Sequence, residues 1–76
     1  MIKLCLKSNS DDVVKYNYQA ESGAVGKIMY SKMRKATKID NQLDDFPVFY
    51  YKALHSQLMQ WGEKDEFPEQ YTIAWG

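Results

Sequence analysis

Lys3, Cys5 and Lys7 alternate with Ile2, Leu4 and Leu6, and Lys15 lies between Val14 and Tyr16. Successive side chains of a strand point to opposite faces. This spacing sends the lysines one way and the large apolar groups the other. Lys27 and Lys38 join the same side if residues 27–31 and 36–39 are strands, together with Asn17, Met29 and Ser31. Ammonium groups gathered on one sheet face can hold an anion, either the phosphates of a nucleic acid or the carboxylates of an acidic protein. The plainer alternative is a solvated face whose lysines keep edge strands from pairing with other chains. Sheet modules that bind RNA stack bases on exposed aromatics. Tyr16, Tyr18, Tyr30 and Trp75 fall on the opposite side here, so nucleic acid would be held by phosphate contact alone, weakly and with strong salt dependence.

Other candidate groups are sparse. Ser22–Gly23–Ala24–Val25–Gly26–Lys27 has some features of a phosphate-binding loop. That loop needs four residues between its glycines, Ser or Thr after the lysine, and a helix start beyond. Here two residues separate the glycines and Ile28 follows the lysine, so the segment reads as a turn. His55 is the sole histidine. At helical spacing its neighbours are Tyr51 and Met59, while Ser56 points about 100° away around the helix. No nucleophile or orienting partner is in reach, so His55 reads as a partly exposed structural residue. Cys5 could act only as a thiolate, and no base accompanies it. Asp44–Asp45 reads as a helix cap, and Glu63, Asp65 and Glu66 as a solvated loop. One cysteine and one histidine do not make a metal site. The expectation is therefore no catalytic residue, no metal and no cofactor.

The 76 residues carry ten Lys or Arg and ten Asp or Glu, for a formal net charge of zero. A chain of this length is expected to form one domain, residues 1–76. The charge balance excludes a generic polycation, and the 14% aromatic content excludes the composition of a disordered acidic segment. The zero conceals a division. Residues 1–39 hold eight basic and three acidic side chains, a net +5, and residues 40–76 hold two basic and seven acidic ones, a net −5. With Cys5 alone no internal disulfide can form, which fits a reducing compartment. No apolar run approaches the ~20 residues of a membrane span, and Lys3 and Lys7 interrupt what would be a secretory signal. A cytoplasmic location without membrane contact is expected.

The elements that must position these residues can be placed in turn. Residues 2–7 and 13–20 alternate as two strands joined through the turn formers Ser8–Asn9–Ser10–Asp11–Asp12. Residues 25–39 are ambiguous. Val25, Ile28, Met29, Met33 and Ala36 would make a helical stripe, but Gly23 and Gly26 start helices poorly. Ile28, Tyr30, Thr37 and Ile39 favour strands. A hairpin turning at residues 32–35 is preferred, although that turn lacks Gly or Asn. After a polar loop at residues 40–45, Asp44 or Asp45 caps a helix with Pro47 in its first turn. Phe46, Phe49, Tyr50, Ala53, Leu54, Leu58 and Trp61 share one face of it, and Gly62 supplies the stop. Tyr71, Ile73 and Trp75 alternate in a last strand. The fold class is α+β, with an antiparallel sheet of four to five strands and one helix packed on one face, in the order β-β-β-β-α-β.

Asp11–Asp12–Val13–Val14–Lys15–Tyr16, then Gly26–Lys27–Ile28–Met29–Tyr30, the Phe-rich helix and the closing Ile73–Ala74–Trp75–Gly76 together resemble a group of short uncharacterised proteins of Gram-positive bacteria, some found near phage genes. The resemblance supports strand structure at residues 26–30 and implies no activity. Bacterial or phage origin is expected on that ground alone.

The whole reads as a small non-enzymatic interaction module. Its expected partner is a protein, with a second copy of the chain in a homodimer as one candidate and a nucleic acid as the alternative. The candidate binding residues are Lys3, Lys7, Lys15, Lys27 and Lys38. One helix covers two or three strands well, so either the sheet curls around the helix or some of Tyr16, Tyr18, Tyr30 and Trp75 stay available as interface aromatics.

Overall fold

A computed structural model describes residues 1–21, 23–41 and 48–74. The alternating segments form strands β1 (Ile2–Asn9), β2 (Val13–Gln19), β3 (Val25–Ser31) and β4 (Ala36–Asn41), followed by helix α1 (Val48–Lys64) and strand β5 (Gln70–Ile73). All five strands join one antiparallel sheet in the order β4-β3-β2-β1-β5. The first four strands follow one another as hairpins. The helix then carries the chain to the free edge of β1, where β5 pairs. The expected α+β class and element order are what is observed, and residues 25–39 form the hairpin rather than the helix.

The turn of that hairpin closes without glycine because Lys35 itself takes the left-handed conformation, at φ 52°. A non-glycine residue can occupy this region at a cost of about 1–2 kcal/mol. Register also explains why β1 outruns its expected end. Ser8 pairs with Lys15 and Asn9 with Val14, past an irregularity at Lys7. The connection to β2 is then short, with the Ser10 hydroxyl accepting the Val13 N–H at 3.1 Å.

The core is one layer between sheet and helix. Ile2, Leu4, Val14, Tyr16, Tyr18, Ile28 and Tyr30 meet Leu54, Leu58 and Trp61 there. The helix stripe is narrower than expected, because Phe49 is 59% exposed and Tyr50 and Tyr51 lie half-buried at the margin. Phe46, the Asp44–Asp45 cap, Pro47 and Trp75 lie outside the described residues.

Tyr16, Tyr18 and Tyr30 were candidates for an exposed aromatic surface, and the structure corrects this. All three are buried. Tyr16 stacks on Trp61 with ring centroids 5.4 Å apart and donates its hydroxyl to the Pro68 carbonyl at 2.6 Å. Tyr18 meets Tyr51 edge-on at 6.2 Å. Two of the rings need a missing side chain opposite them. A Cβ on Gly26, the cross-strand partner of Tyr18, would overlap the Tyr18 ring, and a Cβ on Gly62 would overlap the Tyr30 ring. Gly26 therefore belongs to a strand rather than a turn. Gly62 is a seat for Tyr30 inside the helix rather than its stop. The helix ends at Lys64. Asp65 turns left-handed at φ 53°, donating its N–H to the Gly62 carbonyl at 3.3 Å, while the Glu66 N–H reaches the Trp61 carbonyl at 3.1 Å. These paired bonds satisfy two of the carbonyls a helix leaves without partners.

Two predictions follow from this layer. Gly→Ala inside a helix ordinarily stabilises by about 1 kcal/mol. Here Gly62→Ala should destabilise by about 1–3 kcal/mol, as overpacking does, and Gly26→Ala should behave likewise. Chemical denaturation reads both, and a stabilised Gly62→Ala variant would refute the seating of Tyr30. The second prediction concerns alkaline pH. Burial pushes the Tyr16 hydroxyl from 10.0 up to about 12, so folding favours the neutral phenol. That contribution is fully present below the unfolded value of 10.0 and is lost as the pH rises through about 12. Unfolding free energy measured across this range should fall, and the fall should be shallower in Tyr16→Phe.

Candidate interaction surface

The helix covers one face of the sheet, and among the described residues the other face is open. Strand alternation places Lys3, Lys7, Lys15, Lys27 and Lys38 there, and all five side chains are exposed. Between them Cys5, Val13, Asn17, Met29 and Ser31 are half-buried, giving a floor of mixed polarity. Cross-strand register sets the spacing. Lys27 pairs with Asn17, and Lys15 and Lys38 both pair with Met29 from opposite sides, so Lys38 stands at the β4 edge. Lys3 pairs with Gln19 and Thr72 toward the other end of the sheet. Among the described residues, none of the five lysines makes an ion pair or a side-chain hydrogen bond.

Two strand irregularities concentrate part of this charge. In β1, Leu6 pairs with Tyr16 and Ser8 with Lys15, which leaves Lys7 as an extra residue beside Lys15. In β4, Ile39 pairs with Ile28 and Asn41 with Lys27, which leaves Asp40 as the extra residue beside Lys27. A bulge bends its strand and re-aims the side chain it carries. Between the two irregularities lies a hollow of about 310 Å³ lined by Lys7, Lys15, Tyr16, Asn17, Lys27 and Asp40. Three of the five candidate lysines thus converge. Lys3 borders a different hollow, with Gln19 and Glu21. Asp40, expected in a polar loop, is the one acidic side chain in the basic hollow.

The acidic side chains gather elsewhere. Glu63, Asp65, Glu66 and Glu69 are exposed at the C-terminal end of α1 and in the segment leading to β5. Lys32 is drawn toward them and away from the open face. Its Nζ donates to Asn9 Oδ1 at 2.8 Å, lies 4.0 Å from Asp65 Oδ1, and sits 5.6 Å from the centre of the Phe67 ring. It ties the β1–β2 end of the sheet to the chain leaving the helix. Beside that segment, Trp61, Phe67, Pro68 and Tyr71 line a groove of about 590 Å³. Tyr71, 41% exposed, meets Trp61 edge-on at 5.1 Å.

His55 has a partner that sequence spacing did not show. Thr37 Oγ1 on β4 forms a short hydrogen bond with His55 Nδ1 on the exposed flank of α1. A hydroxyl beside an imidazole is half of a nucleophile–base arrangement. Among the described residues, no third group orients the imidazole. Lys27 of the glycine-containing loop lies in a strand that leads to no helix start, so the phosphate-loop geometry is not formed. Among the described residues, no three of His, Cys, Asp and Glu gather as a metal would need, and no helix is long and apolar enough to cross a membrane.

Comparison of the chain with protein-family models, with curated proteins and with solved structures finds no match.

Proposed function

We propose that the protein is a non-enzymatic interaction module of the cytoplasm, where a lone thiol stays reduced. Its open sheet face docks an acidic surface of a protein partner. One observation carries this reading: five exposed lysines stand on one face without ion-pair partners among the described residues, and three of them line one hollow. Lysines that only guard sheet edges belong on edge strands. Lys15 and Lys27 project instead from β2 and β3, both interior to the sheet order. The half-buried Val13 and Met29 between the charges add apolar contact area suited to a protein surface.

A second copy of the chain is one such partner, because Glu63, Asp65, Glu66 and Glu69 present a complementary acidic surface. Contact of one copy's open face with another copy's helix end is head-to-tail, a geometry that closes into rings or runs on as filaments. A nucleic acid is the second reading. It rests on the lysines alone, since no exposed aromatic stands on the open face among the described residues.

A Glu-rich peptide titrated into the labelled protein tests the proposal. Amide shifts should concentrate on β1, β2 and β3 around Lys7, Lys15 and Lys27. Affinity should fall steeply as salt rises from low to physiological strength. Replacing the three lysines by Gln should weaken binding by about threefold to a hundredfold, taking a few tenths to 1 kcal/mol for each exposed charge pair. The fold should persist, because these side chains lie outside the core. Absence of binding at low salt overturns the reading.

A further inference from the structure

The hollow between the two strand irregularities differs from the rest of the basic face in charge density and shape. Lys7 and Lys15 stand beside each other on adjacent strands, because the extra residue in β1 brings Lys7 next to the Lys15–Ser8 pair. Lys27 is diagonal to Lys15 across the β2–β3 ladder, since Lys15 pairs with Met29 and Asn17 with Lys27. Diagonal neighbours of this kind lie about 7–8 Å apart, and directly opposed ones about 5 Å. Lysine has four side-chain carbons and a freely turning ammonium group, so all three ammonium groups can close on one small anion in the space between them. Asn17, also lining the hollow, adds a neutral amide donor.

Charge selects the anion. Three ammonium groups less the Asp40 carboxylate leave the hollow at +2. A side-chain carboxylate brings one negative charge and a phosphodiester one. A phosphate monoester on Ser or Thr brings about −1.5 to −2 near neutral pH and three acceptor oxygens. The hollow of about 310 Å³ admits such a group with its neighbouring residues. Lysine binds phosphate as a point charge without the planar geometry that arginine imposes, which suits three ammonium groups arriving from three strands.

We propose that the hollow lined by Lys7, Lys15, Lys27 and Asn17 is a seat for a phosphate monoester on the protein partner, so that the module distinguishes the phosphorylated form of an acidic segment from its unmodified form. This rests on the acidic-partner reading above and narrows it. Asp40 limits the affinity. It places a carboxylate beside Lys27 and opposes the bound phosphate.

The test compares one Glu-rich peptide whose central serine is either phosphorylated or free, with a single-stranded oligonucleotide of matched charge as a third probe. Each is titrated into the full chain at low and physiological salt. The phosphorylated peptide should bind about tenfold tighter than the free one. The additional shifts should fall on Lys7, Lys15, Asn17, Lys27 and Asp40. Lys15→Gln and Lys27→Gln should bring the two peptides to equal affinity while leaving weak binding of both, and Lys27→Arg should keep the preference. Asp40→Asn should tighten the phosphorylated peptide further. Equal binding of both peptides by the native chain overturns the seat and leaves the acidic-face reading standing. A preference that survives loss of Lys15 and Lys27, or weakening by Asp40→Asn, places the phosphate elsewhere and also overturns it. Tighter binding of the oligonucleotide overturns the protein partner, and binding of neither peptide overturns the acidic-face reading itself.

Discussion

A helix about 10 Å across has to seal one face of a sheet whose strands lie about 4.8 Å apart, and the sheet has five strands. Everything else in the fold answers that mismatch of widths. Aliphatic side chains alone would leave the layer thin near the middle of the sheet. Tyrosines from β2 and β3 fill it instead, with Tyr16 under Trp61 and Tyr18 reaching Tyr51 at the helix margin. Two glycines make room for two of these rings, Gly26 on the neighbouring strand and Gly62 on the helix itself. Two of the tyrosine hydroxyls, awkward in a core, have partners there. Tyr16 donates to the Pro68 carbonyl, and burial followed by a hydrogen bond with Tyr51 pushes the Tyr18 hydroxyl well above the usual tyrosine range.

A layer that consumes its aromatics in this way leaves a specific kind of surface behind. The tyrosines that would have given the protein an apolar docking patch are spent on sealing the sheet. What remains is the opposite face of the same strands, where alternation has already placed the lysines. Its character is therefore tied to the core. Each residue that sends a large ring inward on β2 and β3 is flanked by one that sends a lysine, an amide or a methionine outward. Asp40 apart, the described acidic side chains of residues 40–74 collect where the chain leaves α1. A chain with no net charge thus carries two surfaces of opposite sign.

Much of this was legible in the sequence, and the failures have local causes. Alternation in β1 and β2, the apolar spacing of α1 and the position of β5 could all be read because each is a property of neighbouring residues. The hairpin at residues 32–35 was legible only through strand preference, since Lys35 adopts a left-handed conformation that no glycine announces. Gly62 was misread as a stop because its reason lies in Tyr30, on another element. The five lysines of the open face were legible as a set. The convergence of Lys7, Lys15 and Lys27 was not, because it depends on one extra residue in each of β1 and β4, with no glycine or proline to mark either place. The Thr37–His55 hydrogen bond was hidden for a similar reason, since it requires knowing which residue of β4 faces the flank of the helix.

The central claim is that the open sheet face is the working surface, and the chain carries its own reporter for it. Cys5 is its only cysteine. It lies half-buried on that face, paired across strands with Asn17 and Gln70. Its rate of alkylation by a neutral reagent, measured with and without a saturating Glu-rich peptide, reports directly whether a partner covers the face. The account predicts that the bound peptide slows the reaction several-fold and that physiological salt relieves the protection. An unchanged rate at full peptide occupancy would contradict it, because the partner would then be seated somewhere other than over the lysines.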